Sequence, residues 1–338
     1  MTWSLNRIVS KVLSPCAIVL MYHRVADPAT DIWETTVSTD NFERHLQALK
    51  NYNVMPLKDL TDSIRHHRLR RHSIAITFDD GYQDNYTNAK PLLEKYNLPA
   101  TFFITSTNTD KEKLFWWDEL QQIILYTSGL PPTLSVQVNG ESINHSLGRE
   151  RMLDDSLRQT IDAWKACTEE PPTLRCRLFY ELWQLLKPLR EQDQQLVLQQ
   201  LRVWANTDSN LYGKYKCMSS AQLRELAQNK LFAIGAHTVS HPALAYHPIH
   251  FQKSELEQNK RFLEQVTGTR ISTASYPYGN YNHDTLAAAA DLNFDAAFTT
   301  EEKPVKNNSK PYCLGRFQVK NLSQTEFKNA LRQWKRIK

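Results

Sequence analysis

The chain has 338 residues, 41% of them hydrophobic and 23% charged, which is the composition of a globular protein with a large core. Its formal net charge of +5 is too small to indicate a nucleic-acid-binding protein. The five cysteines are widely spaced and include no CxxC pair. Their spacing argues against a disulfide framework and a zinc ribbon, and it favours a reducing compartment.

The N-terminal segment combines Arg7 and Lys11 with a short apolar run at 17–22. This run leads directly into His23 and lacks the small-residue cleavage site of a secretory signal, and no stretch of the chain is long enough to span a bilayer. We therefore expect a short amphipathic helix and then a buried strand, in a cytoplasmic protein that contacts the inner membrane surface at most peripherally.

The first third of the chain alternates apolar, β-prone runs with amphipathic helical patterns. The predicted elements, in chain order, are strand 17–23, helix 39–52, a helix from 58, strand 73–78, helix 88–97 and strand 100–105. From 114 to 217 the pattern becomes mainly helical, apart from one hairpin at 135–147 with Asn139-Gly140 as its type I′ turn.

Alternation resumes after this stretch. The predicted elements are helix 221–229, strand 232–237, helix 250–268, strand 272–279, helix 283–292, strands 294–300 and 314–319, and helix 323–337. Repeated β-then-α units indicate an α/β fold, a distorted (β/α) barrel of about seven parallel strands. We divide the chain into a barrel, 1–113 and 218–338, and a mainly helical cap, 114–217. The absence of GxGxxG and P-loop motifs argues against dinucleotide and nucleoside-triphosphate binding.

Polar residues follow several of these strands, at the face where the carboxyl ends of barrel strands carry the chemistry. They are His23, Asp79, Asp80, His237, His241, Tyr278 and Arg316. An isolated HxxxH pair is more often two surface or capping histidines. Because this pair follows one strand while two carboxylates follow another, we favour a catalytic site for zinc or a similar divalent ion.

The pair Asp79-Asp80 has a physical explanation at such a site. A carboxylate that binds a cation is neutralised, and its neighbour can then stay ionised and act as a base. Gly81 allows the backbone to turn beside them. In "HTVSHP", Pro242 disfavours a helical conformation at His241, so we expect a tight loop rather than a helical turn.

Three motifs, "TFDDGY", "HTVSH" and "YPYG", resemble in this order those of the polysaccharide deacetylase family, the NodB-homology or carbohydrate esterase 4 group. The resemblance covers roughly 17–105 and 218–338. It implies a distorted barrel that removes acetyl groups from sugars. Asp79 would be the general base, the backbone N–H of Tyr278 would stabilise the oxyanion, and Zn²⁺ would be bound by Asp80, His237 and His241.

The sequence also departs from the family pattern. Ser275 stands where the third motif has an arginine that orients the base, and Arg316 stands where the fifth motif has a general-acid histidine. Arginine cannot donate a proton at neutral pH, so we expect it to bind an anionic substrate group. The acid is then His23, which belongs to "MYHRV", or His283, or it is absent. Tyr82 and Pro277 are further predicted substrate contacts.

Several alternatives remain open at this point. Trp116 and Trp117 either stack on sugar rings or pack in a core, and the basic run 65–72 is either a helix end or a phosphate-binding patch. The predicted substrate is an N-acetylated, lipid- or phosphate-linked sugar of polysaccharide, lipopolysaccharide or glycolipid assembly. We expect no nucleic-acid partner and no obligate protein partner. The alternatives are hydrolysis of another C–N bond at the same metal, or a catalytically inactive carbohydrate-binding protein.

Overall fold

The computed structural model describes residues 15–28, 30–207 and 216–337, so the amphipathic helix predicted for the N-terminal segment lies outside the described residues. The strands in these ranges are β1 (Cys16–Tyr22), β2 (Arg24–Val25), β3 (Thr36–Val37), β4 (Asn53–Val54), β5 (Ser73–Phe78), β6 (Ala100–Ile104), β7 (Thr133–Val138), β8 (Glu141–Ser146), β9 (Phe232–Ala236), β10 (Thr273–Ser275), β11 (Ala296–Phe298), β12 (Val305–Lys306) and β13 (Phe317–Gln318).

The α-helices of the same ranges alternate with these strands. They are α1 (Thr39–Ala48), α2 (Leu57–Arg65), α3 (Lys90–Lys95), α4 (Trp116–Gln121), α5 (Asp155–Ala163), α6 (Leu174–Leu186), α7 (Glu191–Ala205), α8 (Ser220–Gln228), α9 (Ile249–Thr267), α10 (His283–Asp291) and α11 (Gln324–Trp334). Helix α9 ends at Gly268, whose left-handed backbone (φ 69°) terminates the helix where the sequence predicts it. In this part of the chain, no helix is long and apolar enough to span a membrane.

Nine of the described strands form one curled sheet in the order β11-β10-β9-β6-β5-β1-β12, with β4 paired to β5 and β13 paired to β1. The pairs are parallel except for β1 with β12. Strands β1 and β5 are in register from Ala17 with Ser73 to Tyr22 with Phe78. The sheet confirms the predicted class, while the short antiparallel β12 was not predicted because two residues carry no periodicity.

Segment 314–318 connects the two sides of this sheet. The Thr299 N–H donates to the Leu314 carbonyl at 2.9 Å beside β11, and Phe317 of β13 pairs with Leu20 of β1. The sheet therefore curls back on itself, as a distorted (β/α) barrel does. The rings of Tyr22, Phe78 and Phe102, on the adjacent strands β1, β5 and β6, stack on one another at centroid distances of 5.4 and 4.9 Å.

The middle of the chain has its own set of buried apolar side chains. Helices α4 to α7 and the β7–β8 hairpin supply them between Trp116 and Ala205, and Ile32 joins them from the barrel side. The hairpin turns at Asn139 (φ 53°) and Gly140 (φ 82°), which confirms the type I′ turn. The division into a barrel and a cap at 113/114 and 217/218 stays a prediction.

Candidate active site

The two adjacent carboxylates follow β5, and the backbone there turns sharply. Asp80 and Gly81 both have left-handed backbones, with φ of 73° and 89°, and the Gly81 N–H donates to the Asp79 carbonyl at 3.0 Å. Such a conformation is costly for a non-glycine residue and is typical of functional sites. Here it lets two consecutive side chains take different partners on the same face of the barrel.

Asp80 lies between the two histidines of "HTVSHP". Its Oδ1 atom is 3.4 Å from His237 Nε2 and 3.3 Å from His241 Nε2, and all three side chains are buried. The ligand atoms of this group lie within 4.8 Å of one another. The His237 Nδ1 atom lies 2.8 Å from the Ser275 carbonyl, so Nδ1 carries the proton and Nε2 is left free to bind a metal. One carboxylate and two imidazoles fit a divalent cation such as Zn²⁺.

Helix α9 fixes the loop that carries the histidines. Glu255 accepts hydrogen bonds from the N–H groups of Val239 and Ser240 at 2.9 Å each, and Asn259 accepts one from the His237 N–H at 3.1 Å. Glu255 and Asn259 are four residues apart on the buried face of α9. Neither residue was predicted from the sequence. Two polar residues with i, i+4 spacing on the apolar face of a helix were the available signal.

Asp79 has a different partner, because Arg316 holds its carboxylate with two parallel hydrogen bonds. The Nη1 and Nη2 atoms lie 2.7 and 2.6 Å from the two carboxylate oxygens, and both side chains are buried. The other three N–H groups of Arg316 donate to the Thr299 carbonyl, Thr77 Oγ1 and Ser275 Oγ. The prediction that Arg316 binds substrate is therefore wrong, because all five of its donors are used inside the protein.

This arrangement explains the serine of the third motif. Ser275 Oγ lies 2.6 Å from Arg316 Nη2 and 3.2 Å from Asp79 Oδ2, so it accepts from the guanidinium and donates to the carboxylate. The guanidinium expected at position 275 is thus supplied from position 316. The sequence alone did not reveal this exchange, because the two residues are 41 positions apart in the chain.

The charges around the two carboxylates act on their pKa values in the same direction. Burial raises the pKa of Asp79, but Arg316 and then His237 outweigh it, and the pKa lies below its ordinary value. Burial also raises the pKa of Asp80, and the hydrogen bonds to His237 and His241 lower it well below the ordinary value. Both carboxylates are therefore ionised at neutral pH.

Backbone strain is concentrated at this site. Besides Asp80, the residues Thr238, His241 and Tyr278 have positive φ values of 65°, 59° and 58°. The loop predicted for "HTVSHP" is confirmed, with His241 beyond the end of β9. The Tyr278 ring packs 4.5 Å from the His241 ring, so the third motif lies against the histidine pair.

The remaining predicted site residues are divided between the cavity and the protein interior. His23 and Tyr82 line the cavity of about 320 Å³ that contains both aspartates, and the buried His23 Nδ1 has no hydrogen-bond partner among the described residues. Pro277 is buried and does not line this cavity, so the predicted substrate contact is not supported. His283 is exposed at the start of α10, outside the cavity, which leaves His23 as the remaining acid candidate.

The middle segment supplies one wall of the cavity, and the two tryptophans there differ in role. Trp116 is buried in the middle cluster, whereas Trp117 lines the cavity with its ring 4.7 Å from His241. Trp117 Nε1 donates to the Tyr82 hydroxyl, which donates to Asp118 at 2.7 Å. Burial raises the pKa of Asp118 to about 7, although Arg24 and the hydrogen bond from Tyr82 oppose the shift. Asp118 was not predicted from the sequence.

The basic run 65–72 is remote from this chemistry. Helix α2 ends at Arg65, and the residues after it lie mostly exposed in the turn that leads into β5. Because the run directly precedes β5, it lies at the amino end of the barrel strands, opposite the carboxylates at their other end. It therefore takes no part in the candidate site.

Comparison with known proteins agrees with this geometry. The family model for polysaccharide deacetylases matches residues 66–127 and 182–297, which is more than half of the chain. YxkH of Bacillus subtilis (strain 168) is 22% identical over 304 residues, covering 89% of this chain and 70% of YxkH.

Two further proteins are similar over different lengths. A poly-β-1,6-N-acetyl-D-glucosamine N-deacetylase of Staphylococcus aureus is 29% identical over 131 residues, which cover 34% of this chain and 45% of that protein. The structure of the Streptococcus pyogenes deacetylase PplD, solved with acetate, superposes with a TM-score of 0.59 at 18% identity, covering 95% of this chain and 98% of PplD. At this identity the superposition shows a shared fold.

The motifs, the barrel and the family match lead to one assignment. The match spans Asp79, Asp80, His237 and His241, all of which the structure brings to one cavity. The chain therefore belongs to the polysaccharide deacetylase family and is an enzyme of that class.

Proposed function

We propose that this enzyme removes the acetyl group from an N-acetylated sugar with the help of a divalent cation, Zn²⁺, bound by Asp80, His237 and His241. The observation that carries the proposal is the division of partners between the two aspartates. Asp80 faces two imidazoles, whereas Asp79 is held by a guanidinium. One carboxylate is thus arranged for metal binding and its neighbour for base catalysis.

Each side chain has a role in this proposal. When bound, the cation lowers the pKa of water and polarises the acetyl carbonyl. Asp79, kept ionised and oriented by Arg316, accepts the proton of the attacking water. The backbone N–H of Tyr278 donates to the developing oxyanion. His23 lies in the same cavity and donates a proton to the leaving amine.

The substrate and location are also proposals. The N-deacetylase of Staphylococcus aureus acts on an N-acetylglucosamine polymer by its name, and this supports an N-acetylated sugar of surface-polysaccharide, lipopolysaccharide or glycolipid assembly. The five cysteines are unpaired in the structure, which supports the proposal of a reducing, cytoplasmic location. The inactive carbohydrate-binding alternative was based on the missing arginine and the missing acid, and it loses the first argument because Arg316 holds Asp79 in place of an arginine at position 275.

Acetate release from N-acetylglucosamine oligosaccharides tests the proposal. We expect turnover with zinc, loss with a chelator, and a decrease in kcat of about 100-fold or more in Asp79→Asn with metal content unchanged. Full activity in metal-free protein would refute the role of the cation. Wild-type activity in the Asp79→Asn variant would refute the role of the base.

A further inference from the structure

Lys187 brings an ammonium group into the wall of the active-site cavity without an anionic partner. It directly follows α6 and lines the same cavity as the two aspartates and the histidine pair. Among the residues that the structure describes, no carboxylate oxygen lies within 4.0 Å of its Nζ atom. A half-buried charge without a counter-ion is a cost to the folded protein, and it requires an explanation.

The neighbours of this ammonium are aromatic rings. Its Nζ atom lies 4.9 Å from the centre of the Trp183 ring and 4.7 Å from that of Tyr278. Burial lowers the pKa of Lys187, and ring faces at these distances attract a cation. The Trp33 ring packs 4.7 Å from Trp183, so a surface suited to a sugar ring lies beside the cation.

The acidic groups of the cavity do not neutralise this charge. Asp79 is paired with Arg316, and Asp84, next to the cavity, is paired with Arg24 at 2.8 Å. Asp118 accepts a hydrogen bond from the Tyr82 hydroxyl at 2.7 Å, and burial raises its pKa. Asp31, which also lines the cavity, accepts hydrogen bonds from the N–H groups of Thr35 and Thr36, and Asp80 faces the two histidines. Each of these carboxylates thus has partners other than Lys187.

We propose that Lys187 binds an anionic group of the substrate, a carboxylate or a phosphate, close to the sugar ring that carries the N-acetyl group. The enzyme is then selective for anionic acetylated sugars over neutral ones. This inference rests on the proposed deacetylation and names the class of substrate on which it acts. An anionic group on the substrate forms an ion pair with Lys187, and the surrounding aromatic rings exclude water from this pair.

Three substrates and three variants test the inference. The substrates are a neutral N-acetylglucosamine oligosaccharide, a uronate-containing oligosaccharide with N-acetylglucosamine, and N-acetylglucosamine with an anomeric phosphate. The variants are Lys187→Met, Lys187→Arg and Lys253→Met as a control. Lys253 is paired with Asp291 on the outer side of α9, away from the cavity. Steady-state acetate release gives kcat and KM for each combination of enzyme variant and substrate.

We expect the wild type to prefer one of the anionic substrates, and the better of the two identifies the anion as a carboxylate or a phosphate. Lys187→Met should raise KM for that substrate by about 10- to 100-fold and change the neutral substrate by less than about 3-fold. Lys187→Arg and Lys253→Met should retain the preference. Equal losses for all substrates, an effect confined to kcat, or no effect of Lys187→Met would overturn the inference.

A binding measurement separates this inference from the proposed function. The tryptophan fluorescence of the metal-loaded protein is titrated with glucuronate and with inorganic phosphate, for the wild type and for Lys187→Met. Saturable binding that weakens at least about 10-fold in the variant supports Lys187 even if no tested sugar releases acetate. Equal affinity in both proteins overturns the inference and leaves the proposed deacetylation intact.

Discussion

The clearest prediction concerns Arg316, which holds the carboxylate of the proposed base, Asp79. Arg316→Met removes both hydrogen bonds to Asp79, of 2.7 and 2.6 Å, and leaves the buried Asp79 carboxylate without its guanidinium partner. Breaking a buried pair in this way costs about 3–5 kcal/mol of the free energy of unfolding. Because the base also loses its orientation, we expect kcat to fall about 10²- to 10⁴-fold.

The pH dependence distinguishes this role from a purely structural one. Arg316 stabilises the ionised form of Asp79 and so contributes to its lowered pKa. Its removal raises that pKa, and the acidic limb of kcat/KM should move to higher pH. Arg316→Lys keeps a positive charge but cannot form two parallel hydrogen bonds, so we expect a smaller movement of the limb and an intermediate kcat.

The assay is acetate release measured with metal content and melting temperature on the same samples. A double variant, Arg316→His with Ser275→Arg, moves the guanidinium to the position it has in the family pattern. We expect it to recover at least about 10-fold of the activity lost in Arg316→His. The reasoning is refuted if Arg316→Met binds stoichiometric metal, keeps the wild-type pH profile and loses less than about 3-fold in kcat.

Three more outcomes follow from the structure. Asp80→Asn should lower zinc affinity at least about 10-fold by isothermal titration, because it removes the anionic ligand, and unchanged affinity would exclude this metal site. His45 is buried, its Nε2 donates to the Leu322 carbonyl at 2.7 Å, and burial lowers its pKa to about 4. In the unfolded chain His45 binds a proton near pH 6.5, so its contribution to the free energy of unfolding should be fully present above that pH and should decrease by about 3 kcal/mol between pH 6.5 and 4. Chemical denaturation should show that the free energy of unfolding of His45→Gln depends less on pH. Gly279→Ala would place a Cβ atom 2.8 Å from the Thr300 backbone nitrogen and should lower both stability and activity. Gly140 also has a positive φ, but no described residue lies within 4 Å of the Cβ atom of Gly140→Ala, which should cost only about 1 kcal/mol and leave kcat unchanged.

The fold was largely predictable because its strands are marked by long apolar runs. Strand β5 lies where the sequence indicates, and α9 ends at Gly268 as expected. The two-residue strand β12 carries too little pattern to be located, whereas β13 lies within the predicted strand 314–319 but is shorter than expected. Their pairing depends on backbone hydrogen bonds to strands that are remote in the chain, and no local preference encodes such contacts.

The candidate site was predictable where a motif carries the chemistry within a few residues. Asp79, Asp80, His237 and His241 belong to such motifs, and the structure brings all four to one cavity. The partner of Asp79 was not predictable, because a guanidinium can reach a carboxylate from any strand of the barrel. Whether Arg316 faces a substrate or a base depends on its burial, which the residue type does not determine.

The closure of the barrel has a consequence for when the enzyme becomes competent. Segment 314–318 completes the hydrogen bonding between β11 and β1, and it also carries Arg316. Opening of this segment would separate Arg316 from Asp79, whereas Asp80, His237 and His241 lie after β5 and β9 and do not belong to it. The orientation of the proposed base therefore depends on closure of the barrel, while the candidate metal ligands are held by other strands.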